Sequence, residues 1–243
     1  MIITPQAEQQ GESPLGSGTC SVSLDLRLGD CMEHMATFPD GHFDLAIVDP
    51  PYGLGDKLTN GGTWAAKYSN DDSKWDVKPS PEYFAELQRV AKNWIIWGAN
   101  YFCDMLPPTR QVIVWHKPSM DGMHTMSNCE VAFTSFDRNS KKVSIPHPGD
   151  ERIHMCQKPV ALYNWLLGNF AEPGQRILDT HMGSGSIAIA CHFSGYPLVA
   201  MEACPKHYAA AMERVERETR QLTLFSSQNV NVEPTRGPKN DAE

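Results

Sequence analysis

The sequence predicts an α/β fold built on a mostly parallel sheet. Short apolar runs of strand length alternate with segments of helical period, the order that builds such sheets. Two of these runs end in an aspartate that leads into a turn: Asp49-Pro50-Pro51-Tyr52, and Asp179-Thr180-His181-Met182-Gly183-Ser184-Gly185-Ser186. The size agrees. A chain of 243 residues suits one domain, or one domain with a large insertion, and it can bury a full core without staples. Hydrophobic residues at 41% and charged residues at 21% exclude disorder and fibres for the bulk of the chain.

The elements follow in order. Residues 1–20 are rich in Gln, Gly, Ser and Pro and read as a loose arm. Residues 22–26 alternate like a short strand, and Gly29-Asp30 breaks it. A helix over 31–38 sets Met32, Met35 and Ala36 on one face. The apolar run 43–48 is a buried strand, and Pro50 and Pro51 stop it. Residues 53–80 are polar and Gly-rich and read as a long loop. Pro81 opens a helix over 81–92 whose apolar face carries Tyr83, Phe84, Leu87, Val90 and Ala91. Strands follow at 93–98, 111–115 and 130–136, with a loop over 116–128. The stretch 137–157 is polar and is the most basic of the chain. A helix over 159–170, a strand over 176–179, a helix over 187–193, a strand over 198–201 and a helix over 206–220 complete the domain, 21–220. Residues 221–243 read as a disordered tail.

Composition narrows the function classes. The formal net charge is −8, from 21 basic and 29 acidic residues, so nucleic acid must be held by a local basic patch working against the overall field. The seven cysteines are odd in number and widely spaced, with no C-x-x-C pair. That argues against a disulfide framework and a structural zinc, and it favours a reducing cytoplasm. The first 18 residues have no apolar core of a signal peptide, and no run approaches a membrane span.

Two segments carry chemistry. In the second turn a strand feeds a G-x-G loop that opens a helix. Glycines there let the backbone pass close to a ligand, and the helix start offers free N–H groups. Asp179 ends that strand and Glu202 ends the next one. An acid at that second position accepts hydrogen bonds from the ribose hydroxyls of a nucleoside. Position 188 is Ala rather than the third glycine, which favours a nucleoside without pyrophosphate. In the first turn a carboxylate, a rigid turn with a free carbonyl and an aromatic ring stand together. Asp49 and the Pro50 carbonyl accept from an exocyclic amine, and Tyr52 offers a stacking face to a planar base.

On these motifs the chain resembles the S-adenosylmethionine-dependent DNA amino-methyltransferases of permuted, beta-type order. There the D-P-P-Y motif comes first and the F-x-G-x-G cofactor loop comes late. The resemblance runs from about Leu24 to Arg217. It includes Leu28-Gly29-Asp30-Cys31 ahead of the first motif, Gln157-Lys158-Pro159-Val160 ahead of the loop, and Met201-Glu202 with Tyr208, Ala211 and Arg214 after it. It departs at Thr180, His181 and Ser186, where the family pattern has Pro, Phe and Thr.

The resemblance implies a Rossmann-like sheet with helices on both faces and S-adenosylmethionine as cofactor. It implies Asp49, Pro50, Pro51 and Tyr52 as catalytic. The implied cofactor contacts are Asp30, Cys31, Asp49, Lys158, Asp179, His181, Gly183, Ser184, Gly185, Ser186 and Glu202. D-P-P-Y favours adenine N6 over cytosine N4, and the target base must be flipped out of the duplex. The altered loop after Asp179 and the acidic charge leave open a second class, a non-catalytic DNA- or clamp-binding relative. Insertions near 53–80 and 119–156 are the expected recognition segments. Lys67, Tyr68, Lys74, Arg138, Lys141, Lys142 and Arg152 are the expected DNA contacts. Gln221-Leu222-Thr223-Leu224-Phe225 resembles the peptide by which bacterial proteins dock on the replication sliding clamp. It makes Gln221, Leu222, Leu224 and Phe225 candidate partner contacts in a bacterial or phage-infected cytoplasm. No metal is expected.

Overall fold

The structure is a computed structural model that describes residues 22–54, 76–122, 127–148, 152–154 and 156–223. Among them lie eight strands in one sheet: β1 (Leu24–Leu28), β2 (Leu45–Val48), β3 (Trp94–Trp97), β4 (Val112–His116), β5 (Cys129–Thr134), β6 (Lys141–Ser144), β7 (Ile177–Asp179) and β8 (Leu198–Glu202). Their order across the sheet is β1-β8-β7-β2-β3-β5-β4-β6. The first five are mutually parallel; β5 runs against both of its neighbours, and β6 is parallel to β4. Seven strands therefore point one way.

The helices are α1 (Cys31–Met35), α2 (Pro81–Val90), α3 (Val160–Phe170), α4 (Ser186–Ser194) and α5 (Pro205–Thr223). Strand side chains alternate between faces, and both faces here are apolar. Leu45, Ile47, Ile95 and Trp97 point into one core with Leu162, Leu166, Ile187 and Val215 from α3, α4 and α5. Ala46, Val48, Trp94 and Ile96 point into the other with Met35 from α1 and Tyr83, Phe84 and Leu87 from α2. Burial on both sides is why β2 and β3 read as unbroken apolar runs.

Local chemistry sets the ends. Asp30 caps α1, its carboxylate accepting from the N–H groups of Met32 (2.7 Å) and Glu33 (3.3 Å). The sequence pattern extends this helix to Phe38, but it stops at Met35. Phe38 precedes Pro39, and a proline disfavours helix in the residue before it. α2 ends where Ala91 becomes extended and bridges to Phe43. α4 ends at Gly195, whose φ of +79° is the left-handed C-cap.

Two expectations need correction. The stretch 119–156 holds a second strand besides the expected one. It contains β5, which lies between β3 and β4, and β6, which forms the sheet edge. β6 escapes sequence reading because only Val143 of its four residues is buried, leaving no alternation to detect. The helix α5 also runs past Arg220 to Thr223, with no glycine or proline in that stretch to stop it. Gln221 and Leu222 thus lie in the helix rather than on a tail. Leu224, Phe225, the arm 1–20 and most of the segment 53–80 lie outside the described residues. No helix among the described residues is long and apolar enough to cross a membrane.

The chain leaves β2 towards β3 on one side and leaves β7 towards β8 on the other. β2 and β7 are neighbours, so the connections part between them. Ligands of open α/β sheets bind at such a switch point, beyond the carboxyl ends of the strands.

Candidate active site at the carboxyl ends of β2 and β7

The four residues of β2 are buried, and the strand delivers Asp49 directly to the switch point. The Asp49 carboxylate has two neighbours. Tyr52 donates its hydroxyl to Oδ1 at 2.6 Å, and the Lys158 ammonium donates to Oδ2. Lys158 also lies 3.1 Å from Glu130, which in turn pairs with Lys117 at 2.5 Å. Two buried ammonium groups thus balance two half-buried carboxylates, and breaking such a set leaves an uncompensated charge. Tryptophan faces support both cations: Trp97 lies 5.4 Å from Lys158 and Trp115 lies 5.0 Å from Lys117.

Burial pushes the Glu130 carboxyl up, but Lys158 and Lys117 outweigh it and hold the group down at about 2. Burial likewise lifts Asp49 above the ordinary carboxylate range, with Lys158 opposing and Glu130 assisting. Lys158 stays protonated, because Asp49 and Glu130 together outweigh the cost of its burial.

The Tyr52 ring stacks on Tyr101, with centroids 4.9 Å apart and planes 19° from parallel. Its seat is Gly98, with φ +67°; a Cβ there would lie 2.0 Å from the ring. Nothing in the sequence marks Gly98, because its partner is 46 residues away.

The loop after β7 is held from below. Asp179 accepts the His181 N–H at 2.9 Å, and burial lifts its carboxyl to about 8. Glu202, at the end of β8, accepts the Gly183 N–H at 2.9 Å through one oxygen and the Cys204 N–H at 3.0 Å through the other. Gly183 and Gly185 have φ of +53° and +74°, and a Cβ on Gly185 would lie 2.8 Å from Val215. Arg214 of α5 closes the turn, donating to the Ser184 carbonyl and the Ser186 hydroxyl, each at 2.9 Å. Sequence reading notes Arg214 only as part of a resemblance; its clasp is visible only in the fold.

These parts surround a cavity of about 210 Å³ lined by Asp49, Pro51, Lys158, His181, Gly183 and Glu202, among others. Of the expected residues, Ser184 also lines it. Gly185 and Ser186 face Val215 and Arg214 instead. The Asp30 carboxylate caps α1. Cys31 sits half-buried behind it, its thiol pushed up to about 12 by burial and by Asp30. Neither is among the residues that line the cavity. His154, Cys156 and His207 line it without having been singled out by any motif, and the two histidine rings meet edge to face at 4.5 Å. Among the described residues no group of three His, Cys, Asp or Glu could hold a metal ion.

The expected DNA contacts are not brought together. β6 runs parallel to β4, so Lys141 starts it at the end of the sheet opposite Asp49. Lys141 donates to the Asn169 side chain at 2.8 Å, and Arg138 to the Asn169 carbonyl at 3.3 Å. Both are docked on the far end of α3, away from the cavity. Lys142 is exposed on the edge strand. Arg152 is on the site side but buried, 3.2 Å from His147. Lys67, Tyr68 and Lys74 lie outside the described residues.

The fold is an α/β sheet of mostly parallel strands that sets the Asp49 carboxylate at its switch point, beside the cavity. Residues 94–213 match the family model for DNA methylases (N6_N4_Mtase), and together with the relatives below this match supports an amino-methyltransferase family. The Asp49 turn lies outside the matched residues and comes on its own evidence. The chain is 24% identical over 202 residues to YubD of Escherichia coli (strain K12), a protein that bears a methylase name, covering 77% of this chain and 88% of that one. It is similar in structure to the complex of M1.HpyAVI with SAM (TM-score 0.52, 18% identity, 79% of this chain and 99% of that one). It is also similar to the cytosine-N4-specific PvuII DNA methyltransferase (TM-score 0.55, 12% identity, 83% and 93%).

Proposed function

We propose that this protein is a DNA methyltransferase that takes a methyl group from S-adenosylmethionine and places it on N6 of an adenine swung out of the duplex. The observation that carries this reading is the Asp49-Pro50-Pro51-Tyr52 turn at the end of β2, opening on the cavity beside the glycine loop. The cavity residues fit a nucleoside. The Glu202 oxygens each keep a lone pair for a ribose hydroxyl after accepting their backbone N–H, and Gly183 leaves the loop without a side chain over the cavity.

When bound, S-adenosylmethionine supplies an electrophilic sulfonium methyl. Asp49 and the Pro50 carbonyl act on the nucleophile. An exocyclic amine is poorly nucleophilic because its lone pair is delocalised into the ring. Accepting both of its N–H bonds favours a more tetrahedral nitrogen and stabilises the positive charge that grows there. Asp49 stands beside the proton that the nitrogen sheds once the new bond forms. Lys158 keeps the Asp49 charge compensated meanwhile. Tyr52 is fixed by its bond to Asp49 and by its stacking on Tyr101, and so holds the Asp49 carboxylate in place.

The test is to incubate the purified protein with labelled S-adenosylmethionine and mixed-sequence DNA, digest, and identify the methylated nucleoside. N6-methyladenine from the wild type and none from Asp49→Ala is the expected result. N4-methylcytosine keeps the mechanism and overturns the choice of base. No methylation in the presence of bound cofactor, across DNA of all sequences, overturns the reading.

A further inference from the structure

His181 stands where the family pattern has phenylalanine, and its neighbours decide which ring nitrogen carries the proton. Its Nδ1 lies 2.9 Å from Thr180 Oγ1, and Thr180 Oγ1 lies 2.6 Å from the Tyr83 hydroxyl. Tyr83 is only 3% exposed, and Thr180 is the hydrogen-bond partner of its hydroxyl among the described residues. The imidazole Nε2 has no hydrogen-bond partner among the described residues, and the ring lines the cavity with Gly183 and Glu202.

One arrangement satisfies all three groups. Tyr83 donates to Thr180, Thr180 donates to Nδ1, and the imidazole carries its proton on Nε2. In the reverse arrangement Nδ1–H donates to Thr180 and Thr180 donates to Tyr83. The buried Tyr83 O–H then has no acceptor, and if Tyr83 and Nδ1–H both donate to Thr180 it is the buried Thr180 O–H that has none among the described residues; either costs a desolvated donor. Burial holds the ring's pKa down at about 4, so it is neutral at ordinary pH and has one proton to place.

We propose that Tyr83 and Thr180 are positioning residues that lock His181 in its Nε2–H tautomer, and that this N–H donates to an acceptor atom of the nucleoside cofactor. The inference rests on the reading of the cavity as the cofactor site. An N–H there suits a ring nitrogen, a hydroxyl oxygen or a carboxylate, and disfavours an amine or a sulfonium. Phenylalanine at this place could pack but has no N–H to donate.

The experiment has two parts, both on the full chain. Histidine-selective ¹⁵N spectra at neutral pH, with the His181 signals identified by their loss in His181→Phe, report the tautomer directly. A protonated Nε2 beside a bare Nδ1 is expected in the wild type, and a mixture in Thr180→Val and Tyr83→Phe. Calorimetric titration with S-adenosylhomocysteine then reads the donor. Affinity about ten-fold weaker in His181→Phe is expected, with His181→Gln, whose amide retains an N–H, within about three-fold of wild type. A wild-type ring protonated on Nδ1, or equal affinity of wild type and His181→Phe, overturns the proposal. A wild type that binds no S-adenosyl compound overturns the cofactor reading and this inference with it. That failure is told apart from the others because it is read on the unsubstituted protein.

Discussion

The Asp49, Lys158, Glu130 and Lys117 side chains illustrate how much a single residue depends on partners far along the chain. Lys158 stands 109 positions from Asp49 and bridges it to Glu130. Replacing it with methionine strands the half-buried Asp49 carboxylate and leaves Glu130 with Lys117 alone, and the loss of one partner of such a set costs about 3–5 kcal/mol. Urea unfolding of Lys158→Met at neutral pH is expected to show a loss of that size; an unchanged midpoint would falsify the charge balance. The pH signs differ between the acids. Glu130 is depressed to about 2, so its contribution is present above the ordinary glutamate range and is lost as pH falls towards 2. Asp179 is raised to about 8, so the folded state holds a proton that the unfolded chain releases near 4. Its effect is that stability falls as pH rises from about 4 to about 8, and is flat beyond. Asp179→Asn should remove that slope, measured as melting temperature against pH, and be more stable than wild type at the upper end. Gly98→Ala places a Cβ inside the Tyr52 ring. A backbone held at positive φ adds roughly 1–3 kcal/mol of strain. The expected outcome is a lower melting temperature and loss of methyl transfer, with cofactor binding retained.

At the scale of elements, the helix–loop joint between β7 and α4 is set from outside itself. The turn has no side-chain cap. Its Ser184 carbonyl and Ser186 hydroxyl are taken by Arg214, which α5 carries with its partner Glu218 at 2.7 Å. Arg214→Met keeps the buried stem and removes the donors. It is expected to weaken S-adenosylhomocysteine binding about ten-fold or more, since hydrogen bonds to a charged donor contribute about 1.5–3 kcal/mol. Calorimetry reads this, and an unchanged affinity would remove the clasp from the site. Most elements were legible from the sequence because each satisfies a local rule: two-sided burial for β2 and β3, a proline start and one apolar face for α2. Those misread fail such rules. β6 has one buried side chain, and α1 is shortened by a proline beyond its end.

The whole molecule carries net charge −8, and DNA must approach against it. The basic residues at 138 and 141 lie at the end of the sheet opposite Asp49. Arg138→Ala and Lys141→Ala are therefore expected to leave DNA affinity within about two-fold of wild type at fixed salt, read by fluorescence anisotropy. Each true phosphate contact, by contrast, steepens the salt dependence. A drop of ten-fold or more in either variant would place DNA across that edge after all.

What the sequence by itself determined is the chemistry available and where along the chain it occurs. The Asp49 turn, the glycine loop and Glu202 each announce themselves within a few residues, because turns and strand ends obey local backbone rules. The tertiary structure decided which of these groups face one another. It put Asp49, Lys158, His181, Gly183 and Glu202 around one cavity and turned Asp30 to a helix cap. It left Arg138 and Lys141 at the far end. Gly98 under Tyr52, Arg214 under the loop and the Tyr83–Thr180–His181 relay had no local signature. Each is a contact across the sheet or between layers, and such contacts depend on strand order and direction, which no short stretch of sequence encodes.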